Sequence, residues 1–143
     1  MTSSMHNAFM CFTCGRLKSD FRYSNTIVYN NYPWPGFAGE PLNDKHRTAI
    51  EQAAQCVLDA RAQFASSSLA DLYDPLTMPP ALLKAHQKLD AAVDAAYQPS
   101  GGKKTYASDA ERVAFLFELY QRITSLLPAP AVKKKRKSKA TVS

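Results

Sequence analysis

The stretch PPALLKAHQKLDAAVDAAY, residues 79–97, decides the fold class of this chain. Its apolar side chains recur every three to four residues, which is the spacing of one face of an α-helix. Prolines open it, where a missing backbone N–H costs nothing, and a Pro-Ser-Gly-Gly run follows it. The pattern predicts a helix that begins at residue 79 or 80. Its buried stripe is expected to comprise Leu82, His86, Leu89, Val93 and Ala96 or Tyr97.

Two further helices are predicted, one on each side of this segment. The earlier one begins at residues 43–44, where either side chain can cap it, and ends in the serines 66–68. Its buried face is expected to comprise Ile50, Ala53, Val57, Leu58 and Phe64. The later one opens with a capping box, in which Ser108 and Glu111 satisfy each other's backbone donors, and Pro128 stops it. Its buried face is expected to comprise Val113, Leu116, Phe117, Tyr120, Ile123 and Leu127.

The first third of the chain has a different composition. Residues 3–14 repeat Met and Phe at helical spacing and predict a short helix, which Gly15 ends. Aromatic and β-branched residues around 21–23 and 26–29 predict one or two short strands. The Pro- and Gly-rich residues 33–41 are a connector. The predicted fold class is therefore mainly α: a helical domain of three main helices, preceded by a short helix and a small β element.

The formal net charge of +6 is concentrated at the end of the chain. Six Lys and Arg residues lie within 133–139, and no acidic residue follows Pro128, so the rest of the chain is formally neutral. Low apolar content and like charges predict that residues 129–143 form a disordered basic tail. The lysine run either adds salt-sensitive affinity for phosphates or is a solvated terminus that aids solubility, which is the favoured alternative.

No catalytic, cofactor or metal site is predicted from the residues. Cys11 and Cys14 form a CxxC, but no second ligand pair stands at zinc spacing, so packing is the favoured interpretation. His86 lies on an apolar stripe and fits a core histidine better than a ligand. An odd number of cysteines and the lack of a secretory signal favour a cytoplasmic location. The short apolar runs predict no contact with a membrane.

Residues 15–35, GRLKSDFRYSNTIVYNNYPWP, combine cations, aromatic rings and short polar side chains. These are the groups that contact phosphates and base edges. The Tyr-Pro-Trp-Pro at 32–35 is either a platform on which an exposed base stacks or, as the favoured alternative, a hydrophobic plug between the sheet and the helices. The candidate DNA-binding residues are Arg16, Lys18, Arg22, Tyr23, Ser24 and Asn25.

This segment resembles the end of the target-recognition region in MmeI-like restriction–modification enzymes, single chains that cut DNA and methylate adenine. The resemblance covers most of residues 3–127. It continues through motifs similar to the C-terminal helical region of that family: AQCVLDAR (54–61), SSLADLYDPLTMPP (67–80), KAH (84–86), LD (89–90), AVDAAY (92–97) and ERV (111–113). It implies a remnant of the target-recognition region in residues 1–36 and a C-terminal helical domain in residues 37–128, before the tail.

The resemblance implies a C-terminal fragment of a DNA methyltransferase, whose partners are double-stranded DNA and the remainder of the parent methyltransferase. The parent's cofactor is S-adenosylmethionine. This chain has neither the glycine-bearing loop for that cofactor nor the Asn/Asp-Pro-Pro-aromatic motif that holds a flipped adenine. We therefore expect no cofactor in this chain and no catalysis by it alone. The alternative is a free-standing helical interaction module whose basic tail binds nucleic acid nonspecifically.

Removing residues 129–143 is expected to leave folding intact, because the predicted helices end at Pro128. The truncation should weaken nonspecific binding to DNA and flatten its salt dependence, since up to six phosphate-neutralising charges leave together. Thermal melting and a salt titration of DNA affinity check the two expectations. A melting temperature that shifts by many degrees would show that the tail is part of the fold.

Overall fold

The computed structural model describes residues 3–17, 20–36 and 41–126, so Lys18 and the tail 129–143 lie outside the described residues. The described part is mainly α with a small β element, as predicted. In the N-terminal part, α1 (Ser4–Thr13) leads into strands β1 (Gly15–Leu17) and β2 (Asp20–Arg22) and a π-helical turn (Asn25–Tyr29). The helices that follow are α2 (Asp44–Ala62), the short α3 (Leu69–Leu72), α4 (Pro80–Tyr97) and α5 (Asp109–Leu126).

The helices begin at the capping residues that the sequence offers. The side chain of Asn43 accepts a backbone N–H at 3.0 Å at the start of α2, and α4 starts at Pro80. Before α5, the Ser108 hydroxyl accepts the N–H of Glu111 at 3.3 Å. The Glu111 carboxylate accepts the N–H of Ala107 at 2.8 Å rather than that of Ser108. The capping box is therefore present, with its return bond one residue earlier than predicted.

Helix α4 contributes to two hydrophobic clusters. Its first half packs against α2 and α3, and its last residue packs against α1, the π-helical turn and α5. The side chain of Val93 lies between the two clusters and contacts both. The buried members of the first cluster are Ala53, Val57, Ala60, Leu72, Leu82, Ala85 and Leu89. Those of the second are Met5, Phe9, Val28, Tyr32, Tyr97, Leu116 and Leu119.

The predicted helix faces are correct along most of their length and wrong at their edges. Leu58 is 54% exposed, because α2 buries a narrow face against α4 and residue 58 is rotated about 100° from its neighbour Val57. Leu119 is buried although the predicted face omits it. His86 is half-buried at the edge of its stripe, and its Nε2 lies 2.9 Å from the hydroxyl of Tyr73. The histidine therefore has a partner, as predicted, but it lies at the edge of the helix face and not in the core.

The prediction of a strand at residues 26–29 is wrong. These residues form the π-helical turn, in which Val28 is fully buried and the Ser24 hydroxyl accepts the N–H of Ile27 at 3.4 Å. Burial of one side chain and capping by another override the β preference of the β-branched residues. The strand that pairs with residues 20–22 precedes it in sequence and is β1, which the prediction missed.

A polar contact fixes the first turn of α1 to the middle of α4. The backbone N–H and the hydroxyl of Ser4 donate to the two carboxylate oxygens of Asp90, at 2.7 and 2.6 Å. A carboxylate at this place satisfies a backbone donor that the helix leaves unpaired, and its charge complements the helix dipole. Asp90 therefore links the N-terminal part of the chain to the helical part.

We expect Asp90→Ala to lower the free energy of unfolding by about 1–3 kcal/mol, because two hydrogen bonds to a charged acceptor are lost. Asp90→Asn, which keeps an acceptor oxygen without the charge, should have a smaller effect. The control is Asp59→Ala, on the exposed face of α2, where the carboxylate accepts a hydrogen bond from Gln55 of the same helix. Denaturant unfolding measures all three, and equal losses for Asp59→Ala and Asp90→Ala would contradict the capping role.

Candidate nucleic-acid interface

The β-hairpin presents Arg16 from an exposed position. β1 and β2 are antiparallel, and Arg16 stands directly opposite Phe21. The guanidinium carbon of Arg16 lies 4.5 Å from the centroid of the Phe21 ring, at cation–π distance. Phe21 is also exposed, so the pair forms a small platform on the surface. Stacking on the ring uses the face of the guanidinium, so it restricts the side chain without using the in-plane N–H groups.

Arg22 lies on the other face of the hairpin. Side chains alternate along a strand, so Arg22 shares its face with Asp20, whereas Arg16 shares the opposite face with Phe21. Arg22 is exposed and stands opposite Gly15, where an added Cβ would meet nothing within 4 Å. The structure therefore separates two of the cations that the sequence groups together. The third predicted cation, Lys18, lies outside the described residues.

The residues after β2 line a shallow groove, which we call the polar groove for its two amide and two phenol side chains, although carbon atoms form most of its exposed surface. Tyr23, Asn25, Tyr29 and Asn30 form its walls, and all four are exposed. Asn25 begins the π-helical turn, and its carbonyl accepts the N–H of Asn30 at 2.9 Å. The hydroxyl of Ser24 caps the same turn. The structure thus brings two predicted residues, Tyr23 and Asn25, into one groove and gives Ser24 a role in building it.

Sequence reasoning missed Phe21, Tyr29 and Asn30 as surface residues of this region. Tyr29 and Asn30 follow one another, and a strand would place them on opposite faces. In the π-helical turn they line the same groove as Asn25, four and five residues earlier. The amides after Tyr29 were a usable signal, because short amide side chains recognise base edges. The prediction of a strand at residues 26–29 placed these amides on different faces and so kept them out of the candidate site.

The Tyr-Pro-Trp-Pro segment is a plug, as the favoured interpretation of the sequence has it. Tyr32 is buried, and its ring lies 5.4 Å from that of Phe9 in α1. The hydroxyl of Tyr97 donates to the carbonyl of Pro33 at 2.9 Å. Trp34 is half-buried and meets the ring of Tyr32 edge-on at 4.8 Å. The plug packs against α1 and the end of α4, not between the hairpin and the helices as predicted, and a cavity of about 370 Å³ lined in part by Tyr32, Trp34 and Tyr97 remains beside it.

His6 links the plug to the groove. It is 3% exposed, its ring centroid lies 4.6 Å from that of Tyr32, and its Nε2 lies 3.3 Å from the Tyr23 hydroxyl. Its Nδ1 is buried with no hydrogen-bond partner within the described part of the chain. Burial lowers the pKa of His6, because the charged imidazolium loses its hydration. The neutral imidazole is therefore the form that holds this region together.

Within residues 3–17, 20–36 and 41–126, no group of three or more His, Cys, Asp or Glu side chains could hold a metal ion. Cys11 is exposed and Cys14 is half-buried, and both are free thiols. No helix in these ranges combines the length and apolar character that crossing a bilayer requires.

Two family models match the chain. The one described as "MmeI, target recognition domain" matches residues 1–36, and the one described as "MmeI, C-terminal domain" matches residues 42–128. The chain belongs to the MmeI family. The resemblance drawn from the sequence motifs is thereby confirmed. The hairpin, the polar groove and the plug all lie in the residues that match the MmeI target recognition domain.

Relatives of the MmeI family extend well beyond this chain. DNA methyltransferase A of Bacillus subtilis (strain 168) is 40% identical over 124 residues, which are 87% of this chain and 13% of that protein. The solved structure of the type IIL restriction–modification enzyme MmeI in complex with DNA is 51% identical, with a TM-score of 0.76. That match covers 87% of this chain and 15% of the enzyme. The chain therefore spans a small part of each relative.

Acidification is expected to destabilise the protein through His6. The folded state binds a proton at His6 less tightly than the unfolded chain does, so the stability from the neutral ring is present above pH 6.5 and is lost below it. We expect His6→Gln to reduce the fall in melting temperature between about pH 7.5 and pH 5.5. Burial also lowers the pKa of His86. His86→Gln should therefore reduce the same fall in melting temperature by an amount that adds to the effect of His6→Gln. An unchanged pH dependence in His6→Gln would contradict this role.

Proposed function

We propose that this chain is the C-terminal part of a restriction–modification DNA methyltransferase, in which it contributes to recognition of the DNA target and does not itself catalyse. The observation that carries the proposal is the match of residues 1–36 to the MmeI target recognition domain, in a chain 51% identical to an enzyme solved with DNA. In this proposal residues 1–36 end the recognition region, residues 37–128 form the helical domain and residues 129–143 are a basic tail. The protein would act on double-stranded DNA in the bacterial cytoplasm.

Arg16 and Arg22 supply the cations of the proposed interface. A guanidinium binds phosphate oxygens or the O6 and N7 atoms of guanine with two parallel hydrogen bonds. The ring of Phe21 holds Arg16 in place, which reduces the entropy that the side chain loses when it binds. Because Arg16 and Arg22 lie on opposite faces of the hairpin, we expect them to contact different strands or different nucleotides of the duplex. Lys18 belongs to the same proposed set.

The polar groove supplies groups that can discriminate between bases. The side-chain amides of Asn25 and Asn30 carry both a donor and an acceptor, which is the pattern that reads the N6 and N7 atoms of adenine. Tyr23 and Tyr29 add aromatic walls with hydroxyl groups. The groove residues carry no formal charge, so in this proposal the arginines give affinity and the groove gives specificity. Ser24 contributes by holding the turn.

The helical part supports the interface. Asp90 of α4 caps α1, and the Tyr97 hydroxyl holds the carbonyl of Pro33, so two contacts from one helix fix both ends of the N-terminal segment. A surface that must present side chains to a rigid duplex requires such a support. In the proposed enzyme, methyl transfer and any DNA cleavage belong to the remainder of the polypeptide. S-adenosylmethionine would bind there.

A hybrid enzyme tests the proposal. In the MmeI enzyme solved with DNA, the region similar to this chain is replaced by residues 3–126, and DNA affinity and methylation rate are measured. Arg16→Ala and Arg22→Ala should each weaken DNA binding about 5- to 150-fold, the cost of one lost arginine contact of about 1–3 kcal/mol. Arg47→Ala, on the exposed face of α2, is the matched control and should change neither quantity.

Melting temperatures of the same variants separate recognition from folding. A loss of DNA affinity without a change in melting temperature supports direct contact. A parallel loss of both would make the arginine a structural residue. Wild-type affinity and methylation in both Arg16→Ala and Arg22→Ala would refute the recognition role. If DNA binding of the 143-residue chain then depended only on the tail, the free-standing interaction module would be the better account.

A further inference from the structure

A second groove, which has aliphatic and phenyl side chains in its lining, opens on the N-terminal part of the chain. It lies between α1, the π-helical turn and α5, and we call it the Phe12 groove. Phe12 is 68% exposed and Ile27 is 50% exposed, and the two side chains line the same groove, so together they form an apolar patch. The rings of Phe12 and Phe117 meet edge-on at 5.4 Å. The surface is formed mainly by Phe12, Thr13, Ile27, Asn31, Phe117 and Tyr120.

Two polar side chains of the Phe12 groove donate their hydrogen bonds within the chain. The hydroxyl of Thr13 donates to the carbonyl of Phe9 at 2.8 Å. The side-chain amide nitrogen of Asn31 donates to the carbonyls of Thr26 and Ile27, at 3.0 and 2.9 Å. The described residues that line the groove include no Lys, Arg, Asp or Glu. Phe12 and Ile27, its most exposed side chains, have no hydrogen-bonding group that could contact a phosphate or a base edge, so this face suits apolar protein side chains rather than DNA.

The π-helical turn separates the two grooves. Ile27 and Asn31, four residues apart, face the Phe12 groove, whereas Asn25, Tyr29 and Asn30 face the polar groove. Between these two sides Val28 is fully buried in the core. The turn therefore has one side suited to a nucleic acid, one side suited to a protein and one side that anchors it.

We propose that the Phe12 groove is the docking surface for the rest of the target recognition domain in a polypeptide of the relatives' length; this rests on the proposed function. The recognition match in this chain covers residues 1–36, which contain α1 and the π-helical turn and so supply two of the three walls of the groove. A helix with an exposed apolar face is stabilised by burying that face against another element of its domain. The two relatives of which this chain spans 13% and 15% contain additional protein that would cover it. The occupant is an apolar segment of that same domain.

The isolated 143-residue chain and the hybrid enzyme test this inference together. The double variant Phe12→Ser with Ile27→Ser is expected to lower the melting temperature of the hybrid by about 5 °C or more and that of the isolated chain by under about 2 °C. The difference arises because the groove is covered in the hybrid and bare in the chain alone. Leu76→Ser is the matched control, since Leu76 is 94% exposed in the segment between α3 and α4. It should leave both melting temperatures unchanged.

Hydrogen exchange supplies a readout that does not depend on a variant. Amides of the α1 segment that ends at Thr13 should exchange more slowly in the unaltered hybrid than in the isolated chain. Equal exchange in the two proteins, or equal melting shifts for the double variant, would overturn the proposal. Sedimentation that shows a dimer of the isolated chain, dissolved by the double variant, would assign the groove to a second copy instead. A loss of DNA affinity with unchanged melting would assign it to DNA.

The result is independent of the test of the proposed function. If Arg16→Ala and Arg22→Ala leave DNA binding intact while the double variant still destabilises the hybrid selectively, the docking surface stands and the DNA contact fails. If the arginine variants lose DNA affinity and the double variant shifts both proteins equally, the recognition role stands and the docking surface fails. The two experiments therefore distinguish a failure of the DNA contact from a failure of the docking surface.

Discussion

The hydrogen bond from the Tyr97 hydroxyl to the carbonyl of Pro33 is the interaction on which the arrangement of the two parts depends. Tyr97 is fully buried, and a buried phenol must find an acceptor or lose the free energy of its hydration. Burial raises the pKa of Tyr97 well above its ordinary value, so the hydroxyl keeps its proton and remains a donor. The plug can therefore occupy one position on the end of α4, and the hairpin that precedes it is placed accordingly.

Helix α4 makes this arrangement rigid because it is held on more than one side. Its first half is packed against α2, and near its end the Asp94 carboxylate pairs with Arg112 of α5 at 3.3 Å, in a largely buried position. Burial raises the pKa of Asp94, and the guanidinium of Arg112 opposes that shift. Such a pair adds little net stability, but it penalises any packing of α5 that separates the partners. The ion pair thus specifies the orientation of α5, which forms one wall of the Phe12 groove.

The helices could be predicted from the sequence because their signals are local and repeated. Caps such as Asn43 and the proline at the start of α4 act within a few residues, and an apolar stripe repeats over several turns. The hairpin and the π-helical turn could not be predicted in the same way. A three-residue strand has no period to detect, and the turn is set by burial of Val28 in a core drawn from distant residues. Arg16 and Arg22 were predicted as surface cations, but their separation onto two faces depends on the unpredicted register.

The same limitation explains why the candidate site was found only in part. The residue types alone indicated Tyr23 and Asn25 as candidate DNA-binding residues. Tyr29 and Asn30 line the same groove only because the backbone there forms a π-helical turn and not a strand. That turn is short, and its backbone carries Asn25 and Tyr29 on the polar groove, Ile27 on the Phe12 groove and Val28 in the core. A displacement of the turn on one side therefore moves the other side as well, since Val28 is close-packed in the core. In the proposed enzyme, the geometry offered to DNA would therefore depend on how the rest of the recognition domain is docked.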